Sequence, residues 1–314
     1  MSTTIQTVTL SSHDQFGRRV PPQEFGELLR ALPEAVRYSI RMAFEGRSRA
    51  LGKRPDWLVA ASDIRFLDHE GSGETVVHFE VPRLGDAAEI LYRQQEMWPT
   101  RPNPSDTGFD LLGDVISDIA AADSDSERFD RHLLQRMERF RHAIDGCFQT
   151  VAFTGTRHIA KPAVITPLVI ETARQLSHDT PQSQQTRLVG KLDMIRASTN
   201  SFALKLHDGQ EVRGALTEGS IAESTRLFEH EVVVFGKAVY RPSGRLLRID
   251  ADEVVEASER DQFFTMIPKP KWARYDLRKV LREQQDKKGV AAIFGKWPGE
   301  ETDEEIERAL REIS

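Results

Sequence analysis

Near the end of the chain, Trp297-Pro298-Gly299 makes a turn through which no helix continues, and Thr302-Asp303-Glu304-Glu305 follows it. The Thr-x-x-Glu spacing is a capping box: the Thr302 hydroxyl accepts from the Glu305 amide, and the Glu305 carboxylate reaches back to the Thr302 amide. Acids in this first turn complement the positive end of the helix dipole. Ile306, Leu310 and Ile313 then recur at i, i+4 and i+7, which is one narrow apolar stripe. About eleven residues are marginal as an isolated helix in water. Three large side chains, each gaining about 1.5–3 kcal/mol on full burial, need a surface to dock on. That surface is either this chain's own body or another protein. The chemistry of the segment is therefore binding, with Phe294 and Trp297 as aromatic anchors and Lys296, Arg308 and Arg311 as its cations.

The run Phe294-Gly295-Lys296-Trp297-Pro298-Gly299-Glu300-Glu301-Thr302-Asp303-Glu304-Glu305-Ile306, followed by Ala309-Leu310-Arg311-Glu312, resembles the C-terminal tail of VapB-like antitoxins. The resemblance implies a partner, a PIN-domain endoribonuclease toxin, whose carboxylate cluster holds Mg²⁺ or Mn²⁺. It also implies a mechanism in which the tail covers that cleft and sets a cation against the acids; Lys296, Arg308 and Arg311 are equal candidates. A buried lone cation is costly unless carboxylates pair with it, and such a cleft supplies them. The rest of the chain departs from the small DNA-binding domains these antitoxins carry, so operator binding is not implied.

Other constellations carry less. The nine histidines are scattered without metal-ligand spacing, and no cofactor is called for by any motif. Asp123, Asp125 and Glu127 resemble a calcium-loop fragment but lack its glycine and terminal glutamate, so a helix cap is the better reading. Thr154-Gly155-Thr156-Arg157-His158 is a glycine turn without the Lys-Ser/Thr of a phosphate loop. There is neither a nucleophile elbow nor a dinucleotide fingerprint, which points to a non-enzymatic protein, with an unrecognised site in the N-terminal half as the remaining route to catalysis. Tyr240, Arg241 and Arg245 flank a hairpin and suggest a small basic patch for single-stranded nucleic acid. Phe202 and Phe235 fall in strand alternation and are expected in the core.

The elements that position these residues predict an α+β chain in four parts. Residues 1–20 are polar and expected as a flexible arm. Residues 21–180 read as a mixed helix/strand domain. Phe25, Leu28, Leu29, Leu32, Val36, Ile40 and Phe44 have helical spacing punctuated by Pro33. Trp57 to Phe66 and Thr75 to Val81 read as a hairpin, Asp86 to about Met97 as a helix, and two apolar stripes run from Leu111 to Ile119 and from Phe129 to Ile144. A strand at Phe148–Phe153 and a helix at Pro167–Leu176 close this part, and Ser177–Gln185 is a polar linker. Residues 186–258 then give three strands, a helix at 220–228 and two strands, the order of a five-stranded OB-like β-barrel, with Gly190 and Gly236 where a small barrel must kink. Residues 259–314 are a helical, partner-binding tail. Between Lys269 and Lys296 nine basic residues face three acids, and from Trp297 onward seven acids face two arginines.

The formal net charge is −6 over 314 residues, so chain-wide electrostatics make no case for nucleic-acid binding. Hydrophobic residues at 39% and charged residues at 29% exclude collagen-like and wholly disordered chains. The single cysteine, Cys147, excludes a disulfide framework. With a start that lacks a basic-then-apolar leader and no apolar run of spanning length, it points to the cytoplasm of a bacterial-type cell and to no membrane partner.

Overall fold

Leu28, Leu32, Val36, Ile40 and Phe44 lie four residues apart and line one side of α1 (Pro22–Glu45), where all five are buried. Pro33 sits inside this helix and does not end it. A mid-helix proline costs about 3 kcal/mol, and the apolar stripe continuing on both sides of Pro33 offsets that cost. The computed structural model describes residues 2–93, 102–144, 146–216, 224–258, 261 and 263–270. By backbone contacts the chain divides into Met1–Lys271 and Trp272–Ser314. The second unit lies outside the described residues, and with it Phe294, Lys296, Trp297, Ile306, Arg308, Leu310, Arg311 and Ile313. Among the described residues no helix is long and apolar enough to cross a membrane.

In chain order the first unit begins with β1 (Thr3–Ser11), α1, α2 (Asp56–Ala61), β2 (Arg65–Glu70) and β3 (Thr75–Pro82). Two single turns, α3 (Leu84–Ala87) and α4 (Glu89–Tyr92), precede α5 (Gly108–Ala120), α6 (Arg131–Met137), a 3₁₀ turn at Glu138–Phe140 and α7 (Arg141–Ile144). β4 (Thr150–Thr154), β5 (Ala163–Ile165) and α8 (Pro167–Asp179) complete this layer. Its sheet has the order β2-β3-β1-β4-β5, antiparallel throughout. Val8, Leu10, Val77, Phe79, Val81, Val151 and Phe153 on one face pack with the helix stripes into one core.

The structure corrects three expectations here. Residues 3–11 are not part of a loose arm; they form the central strand, hydrogen-bonded on both sides, because Gln6, Val8 and Leu10 alternate inward among β-branched Thr and Ile. Trp57 begins no strand: Trp57, Leu58 and Ala61 are the buried side of α2, and pairing starts at Arg65. The helix expected from Asp86 is two separate turns as far as Tyr92, and its later part lies outside the described residues. The stripes from Leu111 and Phe129 do form helices. Thr107 and Asp110 make a capping box for α5, and the Thr166 hydroxyl accepts from the Val169 amide to cap α8.

The polar linker is only Thr180–Ser183, because α8 runs to Asp179 and β6 (Gln184–Arg196) starts directly after it. β7 (Ser201–Lys205), β8 (Glu211–Leu216), β9 (Glu231–Tyr240) and β10 (Leu246–Glu256) follow. They close a barrel of order β10-β8-β7-β6-β9, with β10 parallel to β8 and every other pair antiparallel. This is the five-stranded arrangement expected of an OB-like barrel. Gly236 faces Ala251 where the register shifts before Glu253, and a Cβ there would lie 2.3 Å from the Asp250 carbonyl oxygen, so only glycine fits the corner. The expected helix at 220–228 lies outside the described residues up to 223, and Thr225–Leu227 is a 3₁₀ turn.

One carboxylate ties this barrel to the sheet-and-helix layer. Asp130 caps α6 by accepting from the Leu133 amide at 3.1 Å, and it accepts from the Ser48 amide at 3.1 Å and the Ser48 hydroxyl just beyond α1. Its fourth partner is Arg248 of β10 at 3.2 Å; the two side chains are 2% and 6% exposed. Arg248 also donates to Asp250 at 2.7 Å and to the Gly46 carbonyl, the left-handed cap of α1, at 3.1 Å. Burial pushes the Asp130 carboxyl up, but the Arg248 charge and the three hydrogen bonds outweigh it and hold it below the ordinary carboxylate range. Asp130→Asn keeps the shape and removes the charge facing Arg248, so denaturant midpoints should show a loss of about 3 kcal/mol at neutral pH. A depressed native pKa contributes stability above the unfolded value near pH 4, lost as pH falls through the native value. The gap between wild type and variant should therefore narrow in acid.

Candidate functional site

A cleft of about 1160 Å³ opens between the two layers. Met42 of α1, Leu111 and Val115 of α5 and Phe202 of β7 give it apolar lining, while Asp106, Asp114, Arg128 and Arg157 face Glu211 and Arg213 of β8. The helical period sets Asp110, Asp114 and Asp118 four residues apart along α5, with Asp106 just before its start. The loop Thr154–His158, leaving β4, drops onto this row. The Arg157 amide donates to Asp110 at 2.7 Å, and the Arg157 side chain spans Asp114 at 2.8 Å and Asp106 at 3.1 Å. Gly155 permits that approach, since a Cβ there would lie 2.6 Å from an Asp110 carboxylate oxygen. Arg128 grips Asp118 with one nitrogen at 2.9 and 2.8 Å from its two oxygens.

Burial raises the Asp106 carboxyl above its ordinary value; the Arg157 charge opposes this, and the nearby Asp110 adds to it. His158 Nε2 lies 3.2 Å from Asp114 and 3.3 Å from the Asp110 carbonyl oxygen. Its imidazole meets no hydroxyl or thiol among the described residues, and no group of three or more His, Cys, Asp or Glu there could hold a metal ion. The arrangement is thus a lattice of ion pairs that fixes the walls of a polar cleft. It brings charged groups to where a ligand would lie.

The basic patch expected at Tyr240, Arg241 and Arg245 is not formed. Tyr240 is fully buried, with its hydroxyl accepting from Gln184, and burial pushes its phenol up. Arg241 donates to the Asp125 carbonyl at 2.8 Å and to Glu127 at 2.7 Å, so it is spent on the seam. Arg245 is largely exposed but lies 3.4 Å from Asp125. The physical reason is the loop 123–127, whose acids meet the β9–β10 turn. That loop was expected to cap the second helix, and the cap is Asp130 instead. Ser243 completes the clasp, its amide on the Ser124 carbonyl at 3.1 Å and its hydroxyl on Asp125 at 2.6 Å.

A different constellation emerges on the outside of the barrel. Arg187 pairs across from Phe235, and its guanidinium lies 4.9 Å from the Phe235 ring centroid and 5.6 Å from that of Phe264. Phe202 is core as expected, whereas Phe235 is only half-buried and belongs to this outer stack. The segment bearing Phe264 is held by the Val189 amide, which donates to the Phe264 carbonyl at 2.8 Å, and neighbouring Phe263 is 85% exposed. Period-two alternation across β9 could have found the outward Phe235, since Glu231, Val233, Phe235 and Lys237 share a face. No spacing rule links Phe264 to Arg187.

With this geometry in place, the chain matches no protein-family model, no curated protein and no solved structure.

Asp106→Asn removes the charge that burial disfavours and leaves Arg157 its Asp114 partner. A raised native pKa means that the penalty is absent below the unfolded value near pH 4 and grows as pH rises through the native value. Thermal melts should show the variant more stable than wild type at pH 7 and equal to it at about pH 3, where both side chains are neutral.

Proposed function

We propose that this protein is an antitoxin-like binding protein whose C-terminal segment neutralises a PIN-type endoribonuclease by docking in its metal cleft. The observation that carries the reading is the sequence of the tail: a capping-box pattern at Thr302–Glu305 and Ile306, Leu310 and Ile313 at helical spacing behind Trp297-Pro298-Gly299, in a segment of about eleven residues, marginal for an isolated helix. The division of the chain at Lys271 supports it, because the segment belongs to a unit distinct from the barrel and sheet. In this reading Phe294 and Trp297 anchor the turn, the apolar stripe buries against the nuclease, and one of Lys296, Arg308 and Arg311 meets the carboxylates that otherwise hold the metal. The partner supplies the cytoplasmic, RNA-cleaving activity that is held in check.

Growth rescue tests this. Cells arrested by a candidate PIN-type nuclease should grow when the full chain is co-expressed and stay arrested when residues 290–314 are deleted. Equal rescue by both forms would contradict the mechanism.

A second reading, single-stranded nucleic-acid binding by the barrel, is favoured by the Arg187–Phe235–Phe264 stack with exposed Phe263 and Lys237 beside it. Aromatic faces interleaved with cations are what such strands stack upon. A labelled single-stranded oligonucleotide should then bind with a salt-dependent affinity that falls about tenfold or more in Phe263→Ala/Arg187→Ala. Retained affinity in that variant rejects this second reading.

A further inference from the structure

The outer faces of α1 and α6 meet in a small pocket of about 150 Å³ lined by Tyr38, Arg49, His132, Gln135, Arg136 and Arg139. The spacing explains the convergence: positions 132, 135, 136 and 139 are one helical stripe, opposite to the buried Leu133, Leu134, Met137 and Phe140. Every lining side chain carries a hydrogen-bond donor, and none is an acid. Among the described residues the carboxylate paired with the pocket's arginines is Glu34, which lies 2.6 Å from Arg136, 3.3 Å from Arg139 and 3.9 Å from Arg37 beside it. One acid thus orients three guanidinium groups and neutralises one of them. Arg136 is further steadied over the Tyr38 ring, 5.1 Å from its centroid, with its other nitrogen 3.3 Å from the Tyr38 hydroxyl. Arg49 makes no ion pair among the described residues. In a chain of net charge −6, this is a concentrated excess of positive charge held in a concave, pre-ordered shape.

We propose that this pocket binds a phosphoryl group, with Arg49, Arg136 and Arg139 contacting its oxygens and Tyr38 and Gln135 completing the donor set. Size supports a single tetrahedral oxyanion: the volume equals that of roughly five waters at about 30 Å³ each. Pockets that hold a whole nucleotide-sized ligand run to about 300 Å³ or more. The number of donors supports it as well, since six donor-bearing side chains exceed what the two oxygens of a carboxylate accept, whereas the oxygens of a terminal phosphate can use them. The organic part of the ligand lies outside the pocket, so the phosphoryl group can belong to free phosphate or to the 5′ end of an RNA strand.

The test is calorimetry on the full chain at constant ionic strength, with inorganic phosphate as one probe and a short oligoribonucleotide, 5′-phosphorylated or 5′-hydroxyl, as the other. Saturable phosphate binding is expected, weakened about tenfold by Arg49→Gln and further by Arg49→Gln/Arg139→Gln. Arg49 is exposed and makes no ion pair among the described residues, so its loss leaves the fold intact, and Lys161→Gln, outside the pocket lining, should leave binding unchanged. Tighter binding of the 5′-phosphorylated strand than of its hydroxyl counterpart assigns the group to RNA; equal strand binding with saturable phosphate assigns it to the free ion. No saturable binding of either phosphate probe, or binding insensitive to both Arg49 variants, overturns the proposal.

Discussion

A buried carboxylate with four partners holds this molecule in register. Asp130 caps α6, fastens the segment after α1 through Ser48 and meets Arg248 from the last barrel strand. Removing charge from water at such a site is expensive, and only near-complete satisfaction of the carboxylate's lone pairs makes it tolerable. That requirement fixes several elements at once. α1 must end at Gly46, so that its carbonyl can accept from Arg248, and β10 must present Arg248 at that height. The hairpin between β9 and β10 is thereby brought over loop 123–127, where Arg241 and Ser243 close the seam. The cleft beside it follows from the same constraint, because its two walls belong to layers that this contact joins.

Much of the fold was legible in local pattern. The five barrel strands announce themselves through alternation and glycine placement, and α1, α5 and α8 through apolar spacing with their caps. What escaped was decided by distant partners. Residues 3–11 look polar in isolation and become a central strand only because β3 and β4 bond them from both sides. The candidate site was much less legible than the fold. Tyr240 and Arg241 look like a surface patch until Tyr240 is seen buried and the Glu127 carboxylate, more than a hundred residues away, is placed against Arg241. The same holds for Arg187, whose second ring comes from Phe264, and for the Asp106–Arg157 pair. Long-range charge pairing leaves no periodic trace in a sequence.

The arginines differ in how fully carboxylates pair with them. Arg241 and Arg248 are consumed by the seam, and Arg128 and Arg157 by the carboxylates around α5. Those near Tyr38 share one glutamate among three, which leaves charge to spare for a ligand. The proposed role of the tail rests on its sequence pattern alone, since those residues lie outside the described ones. One sheet layer and one closed barrel make up the scaffold on which both proposals rest.

The central structural claim is that barrel and sheet layer behave as one body through the Asp130 contact. Native-state hydrogen exchange on the full chain measures this directly. If the claim holds, the slowest amides of β6, β9 and β10 and those of α1 and β1 should share one opening free energy and respond together to denaturant. Two distinct free energies, with the barrel opening while the sheet layer stays closed, would contradict it.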